Sequence, residues 1–92
     1  MQRGSEDIKK VLKVLRAMIH FKVHQMVLDD GMEKDEAKLL VAEKTGVKNW
    51  NTLMSNINAN IAKGHIKFRR LDRIAESLGI TRSELCRKAG VK

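Results

Sequence analysis

Proline and tyrosine are absent from this 92-residue chain, cysteine occurs once, and Phe21, Trp50 and Phe68 are its only large aromatic side chains. Those absences exclude collagen-like and proline-rich low-complexity classes and leave a β-sandwich with little support. Cys86 has no intramolecular disulfide partner, so a reducing compartment is expected. No stretch approaches 18 uncharged apolar residues, which argues against a membrane span. The opening Met-Gln-Arg-Gly-Ser-Glu-Asp lacks the apolar run of a signal peptide, and a cytoplasmic protein is expected. What is present is charge: 19 Lys and Arg against 11 Asp and Glu, a net +8. A charge of that sign predicts an acidic partner. A chain of this length buries only about 60–65 % of the surface its unfolded form exposes, so one core, a single domain over 1–92 and no elaborate catalytic cleft are expected.

Glycines at 31, 46, 64, 79 and 90 each follow a segment of helical periodicity, and together they predict an all-α fold of five helices. The first spans about 6–29, with Ser5 as its expected N-cap and Glu6 and Asp7 in its first turn. Ile8, Val11, Leu12, Leu15, Met18, Ile19, Val23 and Met26 form its core stripe. The second helix, about 34–44, runs through Leu39, Leu40 and Val41. The third, about 50–63, places Trp50, Leu53, Met54, Ile57 and Ile61 on one face, with Trp50 as the expected central core aromatic. The fourth, about 67–78, is expected to bury Phe68, Leu71, Ile74, Ala75 and Leu78. The fifth opens at Thr81-Arg82-Ser83-Glu84, where the Thr hydroxyl and the Glu carboxylate are placed to satisfy each other's free backbone amides.

The charge is localised. Residues 48–73 carry Lys48, Lys63, Lys67, Arg69, Arg70 and Arg73 against Asp72 alone, whereas residues 32–47 hold four carboxylates against three lysines. A patch of this kind is the electrostatic footprint of a nucleic-acid binder, the alternative being a solvated lysine-rich surface. Between the cations, the face of the third helix opposite its apolar stripe consists of Thr52, Ser55, Asn56, Ala59 and Lys63, flanked by Asn51, Asn58 and Asn60. Asparagine costs roughly 0.5 kcal/mol relative to Ala inside a helix. Four within ten residues point to a requirement other than helicity, either capping of turns or recognition. A DNA major groove supplies one, because Asn bonds bidentately to adenine, and Thr and Ala methyl groups meet the thymine methyl.

A short second helix ending in Thr45-Gly46-Val47, a polar third helix, a basic turn at Lys63-Gly64-His65 and the stretch Leu-Asp-Arg-Ile-Ala-Glu-Ser-Leu-Gly-Ile-Thr-Arg-Ser-Glu-Leu at 71–85 together resemble the Cro/lambda-repressor (Xre-type) helix-turn-helix family. The similarity covers roughly residues 12–86. It implies a compact lambda-repressor-like domain in which about 34–63 is the helix-turn-helix and the third helix reads bases, and to which this sequence adds an extended first helix of about twice the family's usual length. It further implies a sequence-specific regulator of transcription, a repressor, acting on double-stranded DNA without metal or nucleotide. Thr52, Ser55, Asn56 and Ala59 are assigned to base edges, and Lys48, Asn49, Asn51, Lys63, His65, Lys67, Arg69 and Arg70 to the DNA backbone. Two features differ from the family pattern. Lys34-Asp35-Glu36 places two carboxylates where a phosphate-contacting polar pair is usual, a position that suits the helix macrodipole. The third helix is also about six residues longer than the usual spacing.

Val14, Phe21 and Leu28 recur every seven residues on the first helix, away from its core stripe and with Ala17 alongside. Either a second copy of the chain covers this line, giving a two-fold homodimer matched to a palindromic site, or the second or fifth helix of the same chain does. A competing function follows from the same features: a helical protein-interaction module, or an antitoxin-like protein, docking an acidic protein on the basic face and this stripe. His20 and His24 lie four apart, a spacing that suits a shared metal, but two ligands are too few and no metal site is assigned. No nucleophile, base and orienting group occur together, so no catalytic residue is assigned and an enzyme is not expected.

Overall fold

The computed structural model describes the backbone of residues 3–91 and the side chains of residues 5–91. Over these residues the chain is all-α, with α1 (Arg3–Asp30), α2 (Lys34–Lys44), α3 (Trp50–Lys63), α4 (Phe68–Ser77) and α5 (Arg82–Lys88) and no strand. At 1.5 Å per residue, α1 alone is about 42 Å long, and it sets the long dimension of a molecule measuring 46 × 23 × 18 Å. α2, α3 and α5 pack along it, α2 also touches α3 and α4, and α4 rests on α5.

The stripe on α1 forms the spine of the core: Val11, Leu12, Leu15, Ile19, Val23 and Met26 are all buried, with Ile8 and Met18 partly so at its edges. The N-terminal expectation fails. Helix is already formed at Arg3, so Ser5 lies inside α1 and does not cap it. Its position is explained by packing: Ser5 lies against Gly64, where an added Cβ would collide with the Ser5 hydroxyl oxygen.

α2 has no side-chain cap at Glu33, and Asp35 and Glu36 in its first turn supply the favourable dipole interaction instead. Its buried face is small, consisting of Ala37, Val41 and Ala42, while Leu39 is 44 % exposed and Leu40 half-buried. The Leu39–Val41 run is therefore only partly core. Thr45, at the helix end, is fully buried and its hydroxyl donates to the Ala42 carbonyl at 2.7 Å.

α3 is bounded by Asn49, whose side-chain oxygen accepts from the Thr52 backbone N–H at 2.8 Å, and by Gly64 in the left-handed conformation. Leu53 and Ile57 are completely buried. Trp50 is not the centre of the core. As the first residue of the helix it packs at the edge of the core and is half-buried, with the His20 ring edge-on at 5.3 Å and the Lys38 ammonium 5.4 Å from its centroid.

α4 buries Leu71, Ile74 and Ala75. Phe68, expected inside, is 57 % exposed, with the Arg82 guanidinium 4.6 Å over its ring. It too begins its helix, and Ile66, in the preceding connection, is buried in its stead. α5 begins with the predicted capping box: the Glu84 N–H donates to Thr81 Oγ1 at 3.1 Å and the Thr81 N–H to Glu84 Oε1 at 3.2 Å. Leu85 then anchors α5 in the core, and Cys86 beside it is half-buried rather than fully enclosed.

Candidate nucleic-acid interface

The burial of Leu53 and Ile57 fixes which side of α3 faces outward. Thr52, Ser55 and Ala59 are exposed and Asn56 is half-buried on that side. Spaced at i, i+3, i+4 and i+7, they line a single stripe of small side chains. The asparagines divide by role. Asn49 caps the helix, Asn58 accepts a 2.7 Å hydrogen bond from Arg16 Nη1, and the Asn60 carbonyl receives the Gly64 and His65 N–H groups at 2.8 and 3.2 Å. Asn56 makes no side-chain hydrogen bond among the described residues, and both its donor and its acceptor remain available for a ligand.

The C-terminal end of α3, the turn after it and α4 enclose a groove of about 400 Å³. Asn56, Ala59 and Lys63 line it from α3, His65 and Lys67 from the connection, and Arg70 from α4. No carboxylate lines it. Gly64 makes this tight return possible. It caps α3 at φ +68° and is pressed against Ser5 and the Lys9 stem, so that His65 and Lys67 emerge directly beside the last turn. Arg70 lines both this groove and the depression beyond it, and its Nη2 is shielded from solvent without a hydrogen-bond partner.

Beyond Lys67 and Arg70, which form a shared ridge, a second depression of about 460 Å³ is lined by Arg69, Asp72, Arg73 and Glu76 as well. Asp72 does not cancel that patch, because its Oδ1 is 3.3 Å from Arg82 Nε. Arg73 lies over the turn at Gly46, its guanidinium in the space a Cβ would need.

Not every assigned residue joins the groove. Asn49 and Asn51 lie at the opposite end of α3, lining a separate depression of about 260 Å³ with Asp35 and Lys38, where a carboxylate is present. Lys48 is exposed in the connection from α2 and lines none of these depressions. Sequence reasoning missed Ile66 as the floor of the groove; the available signal was one apolar residue between His65 and Lys67.

The second line on α1 is covered by neither α2 nor α5 where it matters. Phe21 is 64 % and Leu28 67 % exposed, whereas Val14 is half-buried against the chain's own core. Phe21, His20 and His24 border a further groove with Lys34 and Lys38. Among the described residues no third ligand joins the two histidines into a metal-binding cluster, and no helix is long and apolar enough to cross a membrane. Compared with models of known families, with curated proteins and with solved structures, the chain matches none.

Proposed function

We propose that this protein is a sequence-specific regulator of transcription, a repressor that binds double-stranded DNA in the cytoplasm through α3. The observation that carries the proposal is the continuity between an outward stripe of small and amide side chains and a cationic groove without carboxylates. In this reading Thr52, Ser55, Asn56 and Ala59 meet base edges in the major groove, with the free Asn56 amide suited to the paired donor and acceptor of adenine. Lys63, His65, Lys67 and Arg70 hold the adjacent backbone through the cationic lining they share. Arg69 continues the contact along α4. At the far end of α3, Asn49 keeps only its amide N–H groups for a phosphate, because its oxygen caps the helix. The nearby Asp35 makes that end the weaker of the two. The resemblance to Cro/lambda-repressor-type helix-turn-helix proteins supports the same assignment of α2 and α3.

Selection of bound duplexes from a random pool tests this directly. A shared sequence motif is expected among the selected duplexes, with affinity that falls steeply as salt rises. No enrichment, together with duplex binding indifferent to salt, would overturn it. The exposure of Phe21 and Leu28 favours a second reading, a protein-interaction module whose basic face docks an acidic protein. In that case Asn56→Ala leaves partner binding unchanged.

A further inference from the structure

The C-terminal half of α1 and the first turns of α2 border a groove of about 470 Å³. Its apolar lining is Phe21, Val23 and Val27, and its polar lining is His20 and His24 from α1 with Lys34 and Lys38 from α2. No carboxylate lines it, and neither lysine pairs with one among the described residues. Val23 is buried and Val27 half-buried, but Phe21 and Leu28 stand open to solvent. These two lie seven residues apart on one line of α1, so the unpartnered apolar surface runs for about 10 Å, two helical turns. The acid that follows Leu28 does not turn towards the groove. At about 100° per residue, Asp29 falls on the opposite flank of the Phe21–Leu28 line from His20 and Val27.

We infer that this groove docks an acidic amphipathic helix of a partner protein, its apolar face on Phe21, Val27 and Leu28 and its carboxylates against Lys34, Lys38 and the two histidines. Charge complementarity argues the occupant: a lining that is cationic or imidazole on both contributing helices, with no anion of its own, favours an acidic partner and rejects a basic one. Length argues its form. An open apolar line two turns long matches the i, i+4 and i+7 anchors of a helix laid along it, whereas a small molecule held in the groove leaves Leu28 uncovered. The chain does not supply such a helix itself, because none of its five helices carries more carboxylates than cations. The site is separate from the one on α3. The turn at Gly64 packs on Ser5 and Lys9 near the start of α1, and His20 lies about 16 Å further along that helix. Docking here does not depend on what α3 binds.

Trp50, the single tryptophan, contacts both Lys38 and His20, so its fluorescence reports occupancy of the groove. The probe is a library of displayed helical peptides with leucine fixed at i, i+4 and i+7 and the other positions randomised. Peptides are selected for binding to the wild-type chain and against the Phe21→Glu/Lys38→Glu double variant, whose helicity is checked by circular dichroism. Enrichment of Asp and Glu is expected, and a synthetic peptide from the selection should shift Trp50 emission. Calorimetry then compares variants. Phe21→Glu and Leu28→Glu, both at exposed positions, should each weaken that peptide at least about tenfold, as should Lys34→Glu with Lys38→Glu at low salt. The Lys34→Glu/Lys38→Glu variant should bind the same peptide with its acids exchanged for lysines better than the wild type does. Lys63→Ala and Arg70→Ala should leave affinity within about twofold. No enrichment, enrichment of neutral or basic peptides, or failure of the charge-exchanged pair overturns the proposal. A peptide lost with Lys63→Ala and Arg70→Ala instead places acidic binding on the α3 groove and overturns this site alone. A dimer in sedimentation equilibrium that Phe21→Glu and Leu28→Glu disrupt gives the surface to a second copy and overturns it as well.

Discussion

Arg16 on α1 donates a 2.7 Å hydrogen bond to the side-chain oxygen of Asn58 on α3, 42 residues further along the chain. The bond bridges two helices that pack along each other, and it separates two asparagines that look alike in sequence. Asn58 is engaged in holding α3, whereas Asn56, two residues earlier, is free. Asn58→Ala is expected to lower stability by about 0.5–1 kcal/mol, the range for a partly exposed neutral acceptor meeting a charged donor. It should leave the selected duplex sequences unchanged. Asn56→Ala should do the reverse, relaxing preference at one base position with little change in stability. Urea unfolding and duplex selection on both variants check the two halves of this prediction.

Arg70 and Lys63 line the same groove from different elements. If that groove holds phosphates, each removed cation releases about one fewer counterion on binding, so Lys63→Ala and Arg70→Ala should each flatten the slope of log affinity against log salt by about one unit. Base preference should be retained in both. Titrations of a selected duplex at several salt concentrations measure the slopes. Unchanged slopes in both variants would place the DNA elsewhere.

Gly31 and Gly64 share a φ of +68°, but a Cβ at Gly31 meets nothing within 4 Å while one at Gly64 runs into Ser5. Alanine at either position incurs the cost of a left-handed residue, about 1–2 kcal/mol. Gly64→Ala should add roughly 1–3 kcal/mol of overpacking because Ser5 belongs to a helix and its backbone cannot withdraw. The difference between the two variants in chemical denaturation isolates the packing contribution. Equal losses would mean that α1 yields to the new methyl group.

Phe68 and Leu53 are both apolar, yet only Leu53 is fully buried. Leu53→Ala is expected to cost about 2–5 kcal/mol through lost burial and an unfilled cavity. Phe68→Ala should cost no more than about 1 kcal/mol, mainly its contact with the Arg82 guanidinium. Arg82→Ala removes that contact and the exposed ion pair with Asp72 together, and a loss of similar size is expected. Thermal unfolding of the three variants ranks them.

Much of this architecture is written in short-range terms. Each described helix is followed by a glycine in the left-handed conformation, and Thr81 and Glu84 make the reciprocal bonds their spacing requires. The stripe from Val11 to Met26 is core because a period of 3.6 places those side chains on one face whatever lies opposite. Periodicity names a face without saying how far its cover extends. That is why, of two residues that each begin a helix, Trp50 reaches only the edge of the core and Phe68 escapes it, while Ile66, which belongs to no helix, enters it. It is also why Val14 parts company with Phe21 and Leu28 along a perfect heptad. The candidate site divides in the same way. Its side-chain types and its excess of cations are local properties. The gathering of Asn56, Lys63, His65 and Arg70 around one groove depends on the reversal at Gly64, and on which turns of α1 happen to be covered. Those are decided only when helices distant in sequence compete for the same apolar surface.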